Sequence, residues 1–316
     1  MDAPDPRIVP TLESLIRLQH DARGFSFLHQ QPVTSLLAGR RASRIRGRGL
    51  AFEELRAYRP GDDPRMIDWR ASARTGRTQT RVFTEERDRP TLLIVNMTAA
   101  TFFGTRHATK TAIIAQVAAL VAWRGLQAGD RIGALVFGDD DMGEYPPLRS
   151  RHSVMRILGD IADRAAHLAA APPRPVSPDP LNRALRQAEG VVSHDWLVLL
   201  VSDINAADDD SIAALGRMSR HNDVIAVPVS DPVERVLPDA PWRGIATDGT
   251  RRAVLDPARG GLGARVADNH GARLAELKAS GLRFQTPVLP IGTEEEAAPQ
   301  LRRMLGSLAA PRARVA

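Results

Sequence analysis

The sequence predicts an α/β fold: an open, mostly parallel sheet with helices on both faces and a smaller β-rich extension. Three observations carry this expectation. Short apolar runs recur from about residue 90 onward. Stretches of helical periodicity lie between them. The first 90 residues lack that alternation and are rich in arginine and turn formers. Strand–helix alternation implies right-handed crossovers and a parallel sheet covered on both sides.

Taken in order, residues 11–22 are expected to form a helix, and residues 40–89 a turn-rich β segment. Within that segment Pro60-Gly61 reads as a turn. Asp63 reads as an N-cap with Pro64 at the first helical position, and Gly76 as the stop. Leu92–Val95, Ile132–Phe137, Leu197–Val201 and Val224–Val229 are continuous apolar runs of the kind that central strands show. Phe284–Leu289 is a fifth, weaker candidate. Residues 109–127 are apolar nearly all round, which predicts a helix buried on the sheet, stopped by Gly129. Residues 150–170 place Val154, Ile157, Leu158, Ile161, Ala165 and Leu168 on one stripe. Ile212, Leu215 and Met218 make a shorter one. Thr293 and Glu296 form a capping-box pattern before a terminal helix carrying Leu301, Met304 and Leu305. Residues 172–180 hold five prolines and read as an extended loop. Residues 239–262, with Asp248-Gly249, read as a hairpin. The expected organisation is a helix and arginine-rich extension over residues 1–89 and an α/β domain over 90–316. A hairpin insertion at 231–262 packs with the extension.

The chain has 316 residues, 43% of them hydrophobic, enough to bury a sizeable core. Cysteine is absent, which excludes disulfides and thiolate metal sites. The opening Met-Asp-Ala-Pro-Asp-Pro lacks the features of a secretory signal. The best apolar run, Val117 to Trp123, falls short of the ~20 residues of a membrane helix. The expectation is a soluble, cytoplasmic protein with no membrane span. Net charge is +6, and residues 40–89, with 14 Arg and 8 acidic residues, carry that whole excess. Such a segment can meet nucleic acid or phosphate. Its alternating signs favour internal pairing instead, and aromatic residues at 4% of the chain argue against a base-stacking platform. The sequence contains no phosphate-binding loop, no nucleophile elbow and no His-Glu-x-x-His zinc motif.

Open α/β sheets take ligands beyond the C-terminal strand ends, near the switch in strand order. Three segments are expected to converge there: Asn96 to Ala100, the proline loop around Asp179, and Ser202-Asp203. Thr98, Asp179 and Asp203 offer a hydroxyl and two carboxylates, oxygen ligands of the type a hard divalent cation prefers. The plainer account has Asp203 capping a turn and Thr98 capping a helix, and spacing alone favours it.

Residues 36–104 resemble the family called domain of unknown function 58. The matching stretches are the run from Gly39 to Gly49, Phe52-Glu53-Glu54-Leu55-Arg56, Tyr58-Arg59-Pro60-Gly61-Asp62-Asp63, Arg65-Met66-Ile67-Asp68-Trp69, Ala73-Arg74-Thr75-Gly76 and Glu85-Glu86-Arg87. Weaker similarity continues to about residue 307 through Lys110, Gly129 to Gly133, Asp231-Pro232-Val233-Glu234 and Leu237-Pro238. The resemblance implies a von Willebrand factor A-like fold and the position of a metal-ion-dependent adhesion site, Asp-x-Ser-x-Ser with a Thr and a later Asp. Here Asn96 replaces the first Asp, Thr98 the first Ser and Ala100 the second. Asp179 falls loosely at the Thr, and Asp203 is kept. This degenerate set, Asn96, Thr98, Asp179 and Asp203, is expected to hold Mg²⁺ weakly or not at all, since it lacks one charge and one oxygen.

The resemblance also implies a partner, a MoxR-type AAA+ ATPase, and hence a non-catalytic adaptor or scaffold. Arg56, Arg59, Asp62, Asp63, Arg65, Asp68, Trp69 and Arg74 are the candidate partner-binding residues. Their structural alternative is an internal network in which Arg56, Arg59 and Arg74 hold Asp62 and Asp68. Nucleic-acid or phosphate binding through residues 40–89 is the alternative function. A metal-dependent hydrolase using Asp203, Asp179 and Asp130 has the least support, since no general base or nucleophile has a recognisable setting.

Overall fold

A computed structural model describes residues 4–23, 50–59, 62–85, 90–172, 174–175, 177–237, 243–247, 252–256 and 261–309. The chain divides into two compact units, residues 1–33 with 89–316, and residues 34–88.

The larger unit is built on a six-stranded sheet in the order β10-β7-β6-β3-β4-β5. Its strands are β3 (Pro90–Asn96), β4 (Arg131–Phe137), β5 (Met142–Leu148), β6 (Leu197–Asp203), β7 (Asp223–Ser230) and β10 (Ile291–Gly292). All neighbours are parallel except β5, which runs antiparallel to β4. Alternate side chains of β3 serve opposite faces. Leu93 and Val95 join the cluster beneath helices α3 (Lys110–Ala128) and α4 (Arg151–Ala170). Leu92 and Ile94 join the one beneath α5 (Asp179–Val191) and α6 (Asp209–Met218). Covering on both faces is why these strands read as unbroken apolar runs. Helix α3 is buried almost throughout, starts at the N-cap Thr109 and ends at Gly129 in the left-handed region, φ 87°. Helix α8 (Ala297–Ala309) packs against α3.

Several boundaries differ from the expectation. The fifth strand is Ile291–Gly292, paired to Val229 and Ser230. Phe284 instead ends α7 (Leu262–Phe284), and Val288 makes only an isolated bridge to Ala226. Thr293 does not cap α8, because its hydroxyl donates to Asp231, 2.5 Å. Asp179 opens helix α5, where proline count had pointed to loop; Pro180 occupies the first turn, where a missing N–H costs nothing. Edge strand β5, absent from the expectation, carries Pro146 and Pro147, which an edge tolerates because it has no ladder partner on one side. The expected hairpin is present as β8 (Gly244–Thr247) and β9 (Arg252–Leu255), paired antiparallel.

Helix α1 (Leu12–Arg17), capped by Thr11, belongs to this unit and not to the arginine-rich extension. Leu15 is buried in the core beneath it, and the Trp123 indole N–H donates to the Leu15 carbonyl, 3.0 Å. The expected domain of residues 1–89 is therefore two pieces.

The smaller unit is a two-stranded antiparallel sheet, β1 (Leu50–Ala57) with β2 (Gln79–Glu85), joined through a 3₁₀ turn (Pro64–Met66) and helix α2 (Trp69–Thr75). Asp63 caps the turn and Gly76 closes α2 at φ 68°, as the spacing predicts, but the expected single helix is broken at Ile67 and α2 has its own cap, Asp68. The stretch from Gly39 to Gly49, Pro60-Gly61, Glu86-Arg87 and Asp248-Gly249 lie outside the described residues.

Candidate functional site

Strand order reverses between β3 and β6, so their C-terminal ends form the crevice in which an open sheet takes its ligand. Asn96 ends β3. Its amide donates to the Ser202 hydroxyl, 2.9 Å, and its carbonyl accepts from the Thr98 backbone N–H, 3.0 Å. It thus ties two strands together. Thr98 precedes a short 3₁₀ turn but makes no side-chain capping bond.

Asp203 ends β6 with its side chain 1% exposed. One carboxylate oxygen accepts from the Asn205 N–H, 2.7 Å, the turn-capping role foreseen for it. The other accepts from the Lys110 ammonium. Lys110, the first residue of α3, is itself 4% exposed and donates also to Glu234 Oε1, 2.9 Å. Glu234 reaches the site because Asp231-Pro232-Val233-Glu234 folds into a 3₁₀ turn with a capping box, Glu234 Oε2 accepting from the Asp231 N–H, 2.8 Å. Asn205 donates to Glu234 Oε1 as well, 3.3 Å. Phe103 lies 5.5 Å from the ammonium, in cation–π range.

Behind the turn, Asp231 is fully buried and accepts from the N–H groups of Thr105 and Val233 and the hydroxyls of Thr105 and Thr293. Burial alone would raise its pKa; these hydrogen bonds outweigh it and hold the carboxyl below the ordinary range. Burial likewise opposes the charged form of Lys110, but Asp203 and Glu234 outweigh that and raise its pKa.

The four residues proposed as metal ligands stand in different surroundings. Asp179 is exposed on the first turn of α5. Asn96 and Asp203 are already engaged, the latter by an ammonium. Among the described residues no cluster of three or more His, Asp or Glu side chains is arranged to hold a metal ion. An apolar cavity abuts Asp203, lined by Leu200, Leu215, Leu277 and Phe284 among others. Lys110 was noted in the sequence only as a point of resemblance. The available signal was rarity: it is one of two lysines in a chain otherwise basic through arginine. A lysine presents a compact point charge, which a narrow site between two carboxylates can hold.

The candidate partner-binding residues occupy the smaller unit. Asp62 accepts two bonds from the Arg56 guanidinium, 2.6 and 2.8 Å, and one from the Arg59 N–H, 2.8 Å. Asp68 accepts from the N–H groups of Arg70 and Ala71, 3.0 and 2.9 Å, and from the guanidinium of Arg81, 2.8 Å. The expected network is correct for Arg56 and Asp62. Arg81 takes the place expected for Arg74, and Arg59 bonds Asp62 through its backbone N–H.

Fold and site define an open-sheet α/β protein whose switch point is bridged by its own ion network. The chain belongs to the family described as Protein of unknown function DUF58, which matches residues 54–253. It is 26% identical over 313 residues to uncharacterized proteins of Mycobacterium tuberculosis and Mycobacterium bovis, covering 97% of this chain and 91% of theirs. Among solved structures it is similar to the conserved hypothetical protein BatB of Bacteroides thetaiotaomicron, TM-score 0.41 at 11% identity. It is also similar to an aerotolerance-related membrane protein of Bacteroides fragilis, TM-score 0.35 at 10% identity. Each match covers 70% of this chain and 98% of the other.

The expected cytoplasmic location is not retained; the Bacteroides fragilis protein of the second match is described as a membrane protein. Nor is the chain without a long apolar helix: α3 is long and apolar enough to cross a membrane by length and composition, although here it is mostly buried in the core.

Proposed function

We propose that the protein is a non-catalytic, protein-binding adaptor or scaffold on a von Willebrand factor A-like fold, and that its partner is a MoxR-type AAA+ ATPase. The observation that carries this reading is the state of the switch point. Both oxygens of Asp203 and both of Glu234 are engaged, and the cation between them is the protein's own Lys110. Carboxylates so held are poor general bases and leave little coordination space for an added ion. What the strand ends offer is a fixed surface, with Phe103 42% exposed and Asn205 exposed at its rim. The partnership itself rests on the family resemblance.

The test is affinity capture from the native cells with nuclease present, comparing wild type with Phe103→Ser/Asn205→Arg. An AAA+ ATPase recovered with wild type and lost with the variant places the interface at the strand ends. Recovery of only nuclease-sensitive material replaces the adaptor with nucleic-acid binding through the arginine-rich segment. No cofactor is needed in this reading. Millimolar Mg²⁺ is expected to leave the unfolding midpoint unchanged; a saturable rise abolished by Asp203→Asn would restore the metal site.

A further inference from the structure

In the smaller unit Asp62, Asp63 and Asp68 are engaged, while several arginines are left without a carboxylate among the described residues. Asp62 holds Arg56, and Asp68 holds Arg81 while capping α2. Asp63 caps the 3₁₀ turn through the Arg65 N–H, 2.9 Å. Among the described residues the guanidinium groups of Arg65, Arg70 and Arg74 have no carboxylate partner, and all three residues are exposed. Arg70 and Arg74 stand one turn apart on α2, an arrangement that weakens an isolated helix by repulsion. Beside them Trp69 is 70% exposed and Met66 37%. A tryptophan left this open at the start of a helix adds little to the unit's own core, whose contribution from α2 is Ala71 alone.

We propose that Trp69 and Met66, with the exposed Arg65, Arg70 and Arg74 of the same turn and helix, form a docking surface for an acidic segment of a partner protein. The proposal deepens the protein-binding reading and rests on it. Charge complementarity sets the sign of the partner. Exposed tryptophan and arginine are the residues in which binding energy concentrates at protein interfaces, and the planar guanidinium fork matches a carboxylate in two-point contact. A single exposed indole is a poor platform for successive bases, which disfavours single-stranded nucleic acid.

The experiment uses the full chain and a fluorescein-labelled glutamate-rich peptide with interspersed leucine and phenylalanine. Oligothymidine and phosphatidylglycerol-containing vesicles are the comparison ligands. The peptide is expected to bind, with affinity falling as salt rises. Trp69→Ala and Arg70→Glu/Arg74→Glu are each expected to weaken it at least about tenfold, the loss typical of an interface hot spot. Arg70→Lys/Arg74→Lys is expected to weaken it less. Amide exchange of wild type should show protection confined to residues 63–77, a readout that needs no variant to fold. Absence of peptide binding, or binding indifferent to these changes, overturns the proposal. So does binding of oligothymidine or vesicles, but not peptide, that the same variants abolish. Failure here with the ATPase still captured would leave the adaptor standing on another surface; peptide binding without any captured ATPase would remove the named partner alone.

Discussion

Lys110, Asp203 and Glu234 illustrate why a buried charge is judged by what remains when it is removed. Lys110→Met would leave two largely buried carboxylates facing one another, and such losses cost about 3–5 kcal/mol. Chemical denaturation of the variant checks this. Adding Asp203→Asn to Lys110→Met is expected to cost less than the two single changes together, since partners in one network are not additive. Lys110 and the neighbouring turn's Asp231 give the stability a pH dependence. The pKa of Asp231 is depressed in the folded chain, so its stabilisation is present above its unfolded value, about 4, and is lost as pH falls through the folded value. The pKa of Lys110 is raised from 10.5, so its stabilisation is present below that value and is lost as pH rises through the folded one. Denaturant midpoints should therefore hold between these limits and fall on either side, and Asp231→Asn should flatten the acid limb.

Among the elements, the four central strands were legible because burial on both faces writes a continuous apolar run, α3 because it is apolar nearly all round over 19 residues, and α4 because its apolar stripe is long. Helix α7 was not legible. Its 23 residues include a single fully buried one, Gly281, and its half-buried face mixes Val266, Leu274, Leu277 and Phe284 with His270 and Arg273, which leaves a weak stripe. Its Arg273 donates to the carbonyls of Ile204 and Ala207, and its end approaches α6 closely: a Cβ on Gly216 would lie 2.7 Å from the Phe284 ring. Gly216→Ala is accordingly expected to cost about 1–3 kcal/mol by overpacking, measured by thermal unfolding. The site was legible in part. Asp203 and the switch point follow from the order of the strands, but Glu234 arrives from 31 positions further along the chain through a turn whose purpose appears only when folded.

For the molecule as a whole, the division of the chain matters more than its length. Removal of residues 34–88, with a flexible linker in their place, is expected to leave a cooperatively folding α/β unit. Removal of residues 1–89 is expected to damage it, because that cut also takes α1 and its Leu15 and uncovers the face of α3 around Trp123. Circular dichroism and denaturant titration of both truncations distinguish this arrangement from an independent domain over residues 1–89.

The two margins of the main sheet have a consequence of their own. One ends in β5, which carries two adjacent prolines, and the other in β10, which is two residues long. Neither presents the row of unpaired backbone groups on which an extended peptide could be templated. This sheet is thus ill-suited to recruit another chain by strand addition. In the proposed adaptor role recognition would fall to side chains, and its specificity would be open to change by single substitutions without disturbing the backbone ladder beneath.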